Sequence, residues 1–94
     1  MYWWQDKDGQ KKLQLIWEKL VENGYDARWQ KGKMVCKLYD SNGEYVCDAY
    51  ASTWHSLGIV WVQHWSREIG RTFDPYEAYD MMIEYFNGER ELSK

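Results

Sequence analysis

The stretch from Tyr25 to Ala51 limits the possible folds more than any other part of the chain, because two turn signals divide it into three β-rich runs. Asn42-Gly43 is the favoured pair for a two-residue type I′ hairpin turn, in which both central residues have positive φ. Lys31-Gly32 is a weaker turn signal of the same length. Together the two turns predict three antiparallel strands joined as a meander.

Alternation of the side chains tests the register that these turns imply, because successive residues of a strand point to opposite faces. One face is then entirely apolar or aromatic. It carries Tyr25, Ala27, Trp29, Met34, Cys36, Leu38, Tyr45, Cys47, Ala49 and Ala51. The other face is mixed: it sets Tyr39 opposite Val46 and places Lys37 between Asp26 and Asp48. A slip of one residue would remove both the apolar face and the charge pairing, so the pattern predicts a single register.

A helix is predicted on each side of the meander. Apolar residues recur at helical spacing between residues 10 and 23, and Asn23-Gly24 is a stop signal. Asp74-Pro75 is typical of an N-cap followed by proline at the first helical position. The helix that it starts runs to Phe86 and is closed by Asn87-Gly88. Its predicted inner face consists of Ala78, Tyr79, Met82, Ile83 and Phe86.

The segment before the last helix fits two structures. Ser52 and Thr53 are good N-cap residues, Gly70 is a natural helix end, and a helical wheel gathers the apolar side chains between them on one side. Residues 59–62 are β-branched or aromatic, which favours a fourth strand instead. We favour a helix over residues 52–69 and keep the strand as the alternative.

These elements predict an α+β fold in a single domain spanning residues 1–94. Their order is helix, three-stranded antiparallel meander, helix, helix, with the helices packed on one face of the sheet. Residues 1–9 form an N-terminal aromatic segment and residues 89–94 a frayed polar tail. A chain of 94 residues needs a dense core. We interpret its seven Trp and eight Tyr as the source of that density, with the tryptophans as core residues rather than ligand stackers.

Composition excludes several functional classes. A formal net charge of −3 argues against a general nucleic-acid binder, although it is compatible with a local basic patch. No apolar run approaches the ~20 residues of a membrane span. The N-terminus lacks the layout of a signal peptide, so we expect a soluble, cytoplasmic protein. Cys36 and Cys47 lie diagonally across the predicted ladder, too far apart for an unstrained disulfide, and are expected to be buried reduced thiols.

Residues with catalytic potential are few. The chain contains no Gly-rich phosphate loop, no cluster with metal-ligand spacing and no nucleophile elbow. His55 and His64 lie nine residues apart on the favoured helix and point in different directions. We interpret them as structural, and we predict a protein that is not an enzyme and holds no cofactor and no metal.

Two surfaces remain as candidate interfaces. The first is the mixed face of the sheet, where Tyr39 and Tyr50 are expected to be exposed. The second is the last helix, because residues 72–92 contain six acidic side chains against Arg90 alone. Acidic residues at helical spacing usually form a solvated face, but they also suit a basic, nucleic-acid-binding partner.

The element order, the hairpin Asp40-Ser41-Asn42-Gly43-Glu44-Tyr45-Val46 and the acidic last helix resemble small phage-encoded anti-CRISPR proteins of the type II-A group, which inhibit Cas9. In that family an acidic surface imitates DNA and occupies the nuclease's site for the short duplex motif next to the target. The present chain is far more aromatic and much less acidic overall. The resemblance implies that the acidic contact residues are Asp40, Glu44, Asp74, Glu77, Asp80 and Glu84.

The expected function is therefore that of a small phage or mobile-element protein acting by stoichiometric protein–protein binding. Its expected partner is a basic, nucleic-acid-binding bacterial defence protein, without membrane contact or direct binding of nucleic acid. The alternative is a small nucleic-acid-binding domain that uses the exposed sheet tyrosines. The sequence leaves the oligomeric state open.

Overall fold

The structure is a computed structural model that describes residues 7–51 and 58–92. Two helices and five strands follow one another in the chain. They are α1 (Lys7–Glu22), β1 (Asp26–Arg28), β2 (Val35–Tyr39), β3 (Tyr45–Ala51), β4 (Val60–His64), β5 (Arg67–Thr72) and α2 (Pro75–Phe86). The strands form one antiparallel sheet in the order β1-β2-β3-β4-β5, so each strand pairs with its neighbour in sequence. The α+β class and the single domain are confirmed, whereas the predicted three-stranded sheet has two further strands.

Both helices contact the sheet from the side on which its apolar residues lie. Helix α1 packs against β1, β2 and β3, and α2 packs against β3, β4 and β5, while the two helices also touch each other. Between them lies a core that is mainly aliphatic. Its buried members are Leu13, Ile16, Leu20, Cys36, Leu38, Cys47, Ala49, Ala51, Val60, Val62, Ile69, Ala78, Met81 and Met82.

The described tryptophans surround this core instead of forming it, which corrects the prediction for those four residues. Among the residues that the structure describes, Trp17 and Trp29 are half-buried and pack against the rim of the core, with ring centroids 6.1 Å apart. Trp61 is half-buried on the opposite sheet face and Trp65 is exposed. The small Cys and Ala side chains of β2 and β3 let the helices approach the sheet closely, and that close approach leaves no room for an indole ring between them.

The β2–β3 hairpin confirms most of the predicted register. Lys37 pairs with Asp48 as expected, but the register then shifts, and Tyr39 pairs with Tyr45 instead of Val46. The turn also differs, since Gly43 has a φ of 80° whereas Asn42 does not have positive φ. A β-bulge of this kind adds one residue to one strand.

The bulge exchanges two residues between the faces. Tyr45, predicted on the apolar face, lies on the outer face with Tyr39, and Val46 packs against the core. We attribute the bulge to Asp40. The Asp40 carboxylate accepts hydrogen bonds from the N–H groups of Asn42 and Glu44, both at 2.9 Å. An aspartate that bonds its own turn amides competes with the two-residue turn.

The β1–β2 pairing differs from the prediction by two residues. Lys31-Gly32 does form a turn, closed by a hydrogen bond of 2.9 Å from Lys33 N–H to the Gln30 carbonyl. Beyond the turn, however, Arg28 pairs with Lys37. An even shift keeps every side chain on its face, so the apolar face survives. The predicted pairing of Lys37 with Asp26 is wrong, and the residue opposite Lys37 is a second cation.

Strands β4 and β5 replace the predicted second helix, whose residues 52–57 lie outside the described residues. Val60 and Val62 point into the core, and the intervening Trp61 points outward. The strand alternative is therefore correct, and its β-branched residues explain it. Gly70 is a strand residue whose missing side chain admits α2, because an added Cβ would lie 2.6 Å from Met81 Sδ.

The first and the last of the three predicted helices are present, although α1 begins at Lys7, within the predicted N-terminal segment 1–9, and not at residue 10. Helix α1 stops before Asn23, and Gly24 has a φ of 86°. The Asp74 carboxylate accepts the Tyr76 N–H at 2.9 Å, so it caps α2 as expected. The predicted inner face of α2 packs on the core, with Met81 as an additional buried member. In the predicted tail, Leu92 packs against the core.

Candidate functional site: the aromatic end of the sheet

The turn between β4 and β5 has an unusual backbone. Its two central residues, Trp65 and Ser66, have φ values of 49° and 72°, and they are the only non-glycine residues with positive φ in the described part of the chain. Such a conformation costs a non-glycine residue about 1–2 kcal/mol, so contacts elsewhere must offset it. The Trp65 side chain is nevertheless 69% exposed. The turn thus holds a large aromatic ring in solvent at an energetic cost.

Tyr45 braces this turn from β3. Its hydroxyl oxygen accepts the Trp65 backbone N–H at 3.2 Å, and the two ring centroids are 4.5 Å apart. The same hydroxyl donates to the Asp48 carboxylate, which is only 5% exposed and also accepts Gln63 Nε2–H at 2.9 Å. Burial and the hydrogen bond to Asp48 raise the pKa of Tyr45, so its hydroxyl stays a donor at neutral pH.

His64 ties the turn to the second helix. Its Nδ1 lies 2.6 Å from the Val46 carbonyl oxygen, which can only accept, so Nδ1 carries the proton. The imidazole stacks on Tyr45 with ring centroids 5.5 Å apart and lies 5.8 Å from the ring of Tyr85 on α2. The histidine predicted as structural therefore joins three elements around the base of the Trp65 turn.

We call the resulting cluster the aromatic end. It consists of Tyr39, Tyr45, His64, Trp65 and Tyr85. Tyr39 joins it edge-on to Tyr45 at 6.3 Å, with the Arg28 guanidinium 4.1 Å above the Tyr39 ring. Aromatic residues and Arg are the types enriched where protein interfaces gain most of their affinity. The arrangement is suited to binding another surface.

The two predicted sheet tyrosines are not neighbours. Tyr39 belongs to the aromatic end, whereas Tyr50 pairs with Val35 at the other end of the same ladder. Four residues of β2 separate these positions, about 13 Å at the rise of a strand. Tyr50 instead lies opposite Trp61, with ring centroids 6.2 Å apart. The mixed face therefore carries two separate aromatic pairs.

The predicted acidic residues fall into two classes. Asp40 and Asp74 use their carboxylates to hold backbone N–H groups of a turn and a helix start. Glu84 forms an ion pair with Arg90 at 2.9 Å. Among the described residues, Glu44, Glu77 and Asp80 are exposed and form no ion pair.

The acidic residues extend to the aromatic end from two directions. Glu44 directly precedes Tyr45 on the hairpin, and Glu84 directly precedes Tyr85 on α2. Glu77 and Asp80 continue this row along the outward side of α2 towards its start. The aromatic end is therefore bordered by carboxylates at two points.

Groups suited to catalysis are few in the described residues. Burial and the nearby Asp48 carboxylate raise the pKa of both Cys36 and Cys47 to about 12, so neither is a nucleophilic thiolate near neutral pH. Both thiols are free and buried, as predicted. Within residues 7–51 and 58–92, no three His, Cys, Asp or Glu side chains are grouped to hold a metal ion.

Sequence reasoning missed most of this site. Tyr39 was a candidate, but Tyr45 was assigned to the core and His64 to a helix. Trp65-Ser66 contains none of the Gly or Asn residues that mark a two-residue turn. The sequence signal that could have placed His64 and Trp65 at the end of a strand was the alternation of Val60 and Val62 with polar or aromatic residues.

No family model, curated protein or solved structure matches this chain. Neither α1 nor α2 is long and apolar enough to cross a membrane. The functional inference therefore depends on the geometry and charge of the described residues.

Proposed function

We propose that this protein acts by binding another protein stoichiometrically and that Trp65 is the anchor of the contact surface. The observation that carries the proposal is an indole ring 69% exposed on a turn with two positive φ angles. Both features lower the stability of the free protein: the positive φ angles close the two-residue turn with residues that disfavour them, and the exposed indole ring is not needed to close the hairpin. Residues held in a disfavoured conformation or environment are expected where a sequence serves a function other than folding.

The contacts around Trp65 also prepare it for binding. The backbone N–H is held by Tyr45, and His64 locks the base of the turn to α2. Association normally costs about 0.5–1.5 kcal/mol for each side chain that becomes ordered. A ring presented on a fixed backbone loses less freedom, so more of its buried area contributes to affinity.

The charge distribution supports a basic partner. Among the described residues, Glu77 and Asp80 lie on the outward side of α2 without ion pairs, and Glu44 directly precedes Tyr45 on the hairpin. A partner with a basic cleft beside an apolar pocket complements this arrangement. We accordingly propose a nucleic-acid-binding bacterial defence protein as the partner. In that complex the carboxylates take the positions of phosphates, as in the anti-CRISPR proteins that the sequence resembles.

The alternative, nucleic-acid binding through the sheet tyrosines, has less support. Stacking of successive bases needs free aromatic faces close together. One face of Tyr39 is covered by Arg28 at 4.1 Å, and Tyr50 lies at the other end of the ladder.

The test compares Trp65→Ala with Phe73→Ala. Phe73 is also a large exposed aromatic residue, at 62%, but it lies next to Lys12 and has no contact with the aromatic end. Each variant is used as bait in nuclease-treated bacterial lysate, and the affinity of the recovered partner is then measured with purified proteins. We expect Trp65→Ala to weaken binding by about 2 kcal/mol or more, and Phe73→Ala by far less.

Charge reversal tests the partner class. Glu77→Lys with Asp80→Lys should slow association with a basic partner and remove its salt dependence. Equal losses from Trp65→Ala and Phe73→Ala would refute the anchor. Unchanged binding after charge reversal would refute the phosphate-like role of the acidic row while leaving the anchor intact.

A further inference from the structure

A concave surface lies where β1 and β2 separate towards their turn. It has a volume of about 380 Å³, within the range of small-ligand pockets. Three cations line it, namely Arg28, Lys33 and Lys37, together with apolar surface from Trp29 and Met34. The pocket is distinct from Trp65 and from the acidic row, and Arg28, which covers Tyr39, is the lining residue that it shares with the aromatic end.

The strand register concentrates positive charge in this pocket. Arg28 pairs directly with Lys37, and like charges opposite one another destabilise a sheet. Asp26 relieves Arg28 through an ion pair of 3.2 Å. Among the described residues, neither Lys33 nor Lys37 forms an ion pair.

Asp48 pairs with Lys37 across β2 and β3 but forms no ion pair with it. Its carboxylate is 5% exposed and already accepts hydrogen bonds from Tyr45 and Gln63. Among the described residues, three cations and no carboxylate line the pocket, and only Arg28 of the three is ion-paired. A surplus of this kind, created by a register that brings two cations together, attracts an anion of more than one charge.

We propose that this pocket binds a phosphoryl group, with Lys33 and Lys37 contacting its oxygens. Lysine binds phosphate as a point charge and needs no fixed fork geometry, which suits two exposed side chains. A phosphate dianion matches the surplus better than a single carboxylate. The apolar wall from Trp29 and Met34 accommodates an organic group attached to the phosphate, and the volume admits a single nucleotide.

Two kinds of ligand carry such a phosphoryl group: a free nucleotide, and the backbone of a single-stranded nucleic acid that passes over the pocket. Titrations of the full chain with inorganic phosphate, adenosine monophosphate and a short single-stranded oligonucleotide distinguish them. Binding is followed by backbone amide NMR shifts, with calorimetry for the dissociation constant. We expect saturable chemical-shift changes centred on residues 28–37. If the oligonucleotide binds about tenfold more tightly than the mononucleotide, the ligand is a single-stranded nucleic acid.

The variants Lys33→Gln and Lys37→Gln test the contacts, and Lys31→Gln is the matched control. Lys31 lies in the same turn and carries the same charge, but it does not line the pocket. Each pocket variant should weaken binding of the phosphate probes several-fold, and with an oligonucleotide it should lower the salt slope by about 0.7. The variants should fold normally, because Lys37→Gln removes a like-charge contact.

Three results would overturn the proposal. The first is the absence of saturable binding by all phosphate probes. The second is an equal loss in Lys31→Gln, which would show general electrostatic attraction. The third is equal affinity for a glutamate-rich peptide, which would make the pocket a docking site for acidic protein segments. None of these results bears on Trp65, so this proposal and the proposed function can fail separately.

Discussion

The β2–β3 and β4–β5 hairpins reverse what their turn sequences suggest. The first contains Asn42-Gly43, the favoured pair for a two-residue turn, and it forms a bulged turn in which only Gly43 has positive φ. The second contains Trp65-Ser66, without the Gly, Asn or Asp that a type I′ turn favours, and both positions have the positive φ of such a turn. The difference lies in their partners, since Asp40 bonds to its own turn whereas Tyr45 holds the turn of the neighbouring hairpin.

This comparison shows that a turn conformation can be set from outside its own hairpin. Preference within the turn is worth about 1–2 kcal/mol per residue, which is comparable to one hydrogen bond plus an aromatic contact. Partners beside the turn can therefore reverse that preference. At Trp65 the result is an exposed ring, and at Asp40 it is a bulge that turns Tyr45 outward to support that ring.

Removing the brace of the second hairpin should have the largest effect. Tyr45→Ala deletes a ring that contacts Tyr39, His64 and Trp65, and it leaves the buried Asp48 carboxylate with Gln63 as its remaining side-chain donor. We expect a loss of about 3–5 kcal/mol in the free energy of unfolding, measured by urea denaturation. Tyr45→Phe, which keeps the ring, should lose about 1–3 kcal/mol. If both variants matched the parent protein, Tyr45 would not support the turn.

Alkaline pH should lower the free energy of unfolding through Cys36 and Cys47, which both lie in the first hairpin. The folded pKa of Cys36 and Cys47 is raised to about 12 by burial, above the unfolded value. Their contribution to stability is complete below the unfolded pKa and is lost as the pH rises towards 12. Between pH 9 and 10 we expect unfolding to become easier by about 2 kcal/mol for the two thiols together.

The control for this pH effect is the pair Cys36→Ala and Cys47→Ala, measured over the same range of pH. Each substitution should remove about half of the alkaline slope. A slope that persists in the double variant would assign the effect to other groups, with Tyr45 the first to examine because its pKa is also raised.

Removing Asp40, which holds the first turn, should lower the free energy of unfolding by a smaller amount. Asp40→Ala deletes the acceptor for the N–H groups of Asn42 and Glu44, with an expected loss of about 1–2 kcal/mol. The variant should also allow the two-residue turn to form, which would pair Tyr39 with Val46. Cross-strand NOEs report that pairing. An unchanged bulge in Asp40→Ala would show that Tyr45 and its contacts hold it instead.

The smallest expected effect is a gain in stability. Ser66→Gly relieves a positive φ and should stabilise the protein by about 0.5–1 kcal/mol. Asn42→Gly is the matched substitution in the first hairpin, where φ is not positive, and it should give no gain. Equal thermal shifts for the two variants would remove the difference between the hairpins.

Local patterns determined the parts of the fold whose stabilising contacts are themselves local. The ends of both helices follow from Asn23-Gly24 and Asp74-Pro75, because a cap acts on the turn beside it. The apolar face of the meander follows from strict alternation, which an even register shift leaves unchanged. The burial of both thiols was predictable for the same reason. Of the aromatic end, only Tyr39 could be named.

Tertiary contacts decided the remainder. The φ angles of Trp65 and Ser66 depend on Tyr45, which is 20 residues away in the chain, so no pattern within the turn could indicate them. The placement of Arg28 beside Lys37 depends on a register shift of two residues that leaves the apolar face unchanged and therefore leaves no trace in the alternation. Both proposed sites arise at these positions, because a partner distant in sequence can hold a residue in a conformation or a charge environment that its own neighbours disfavour.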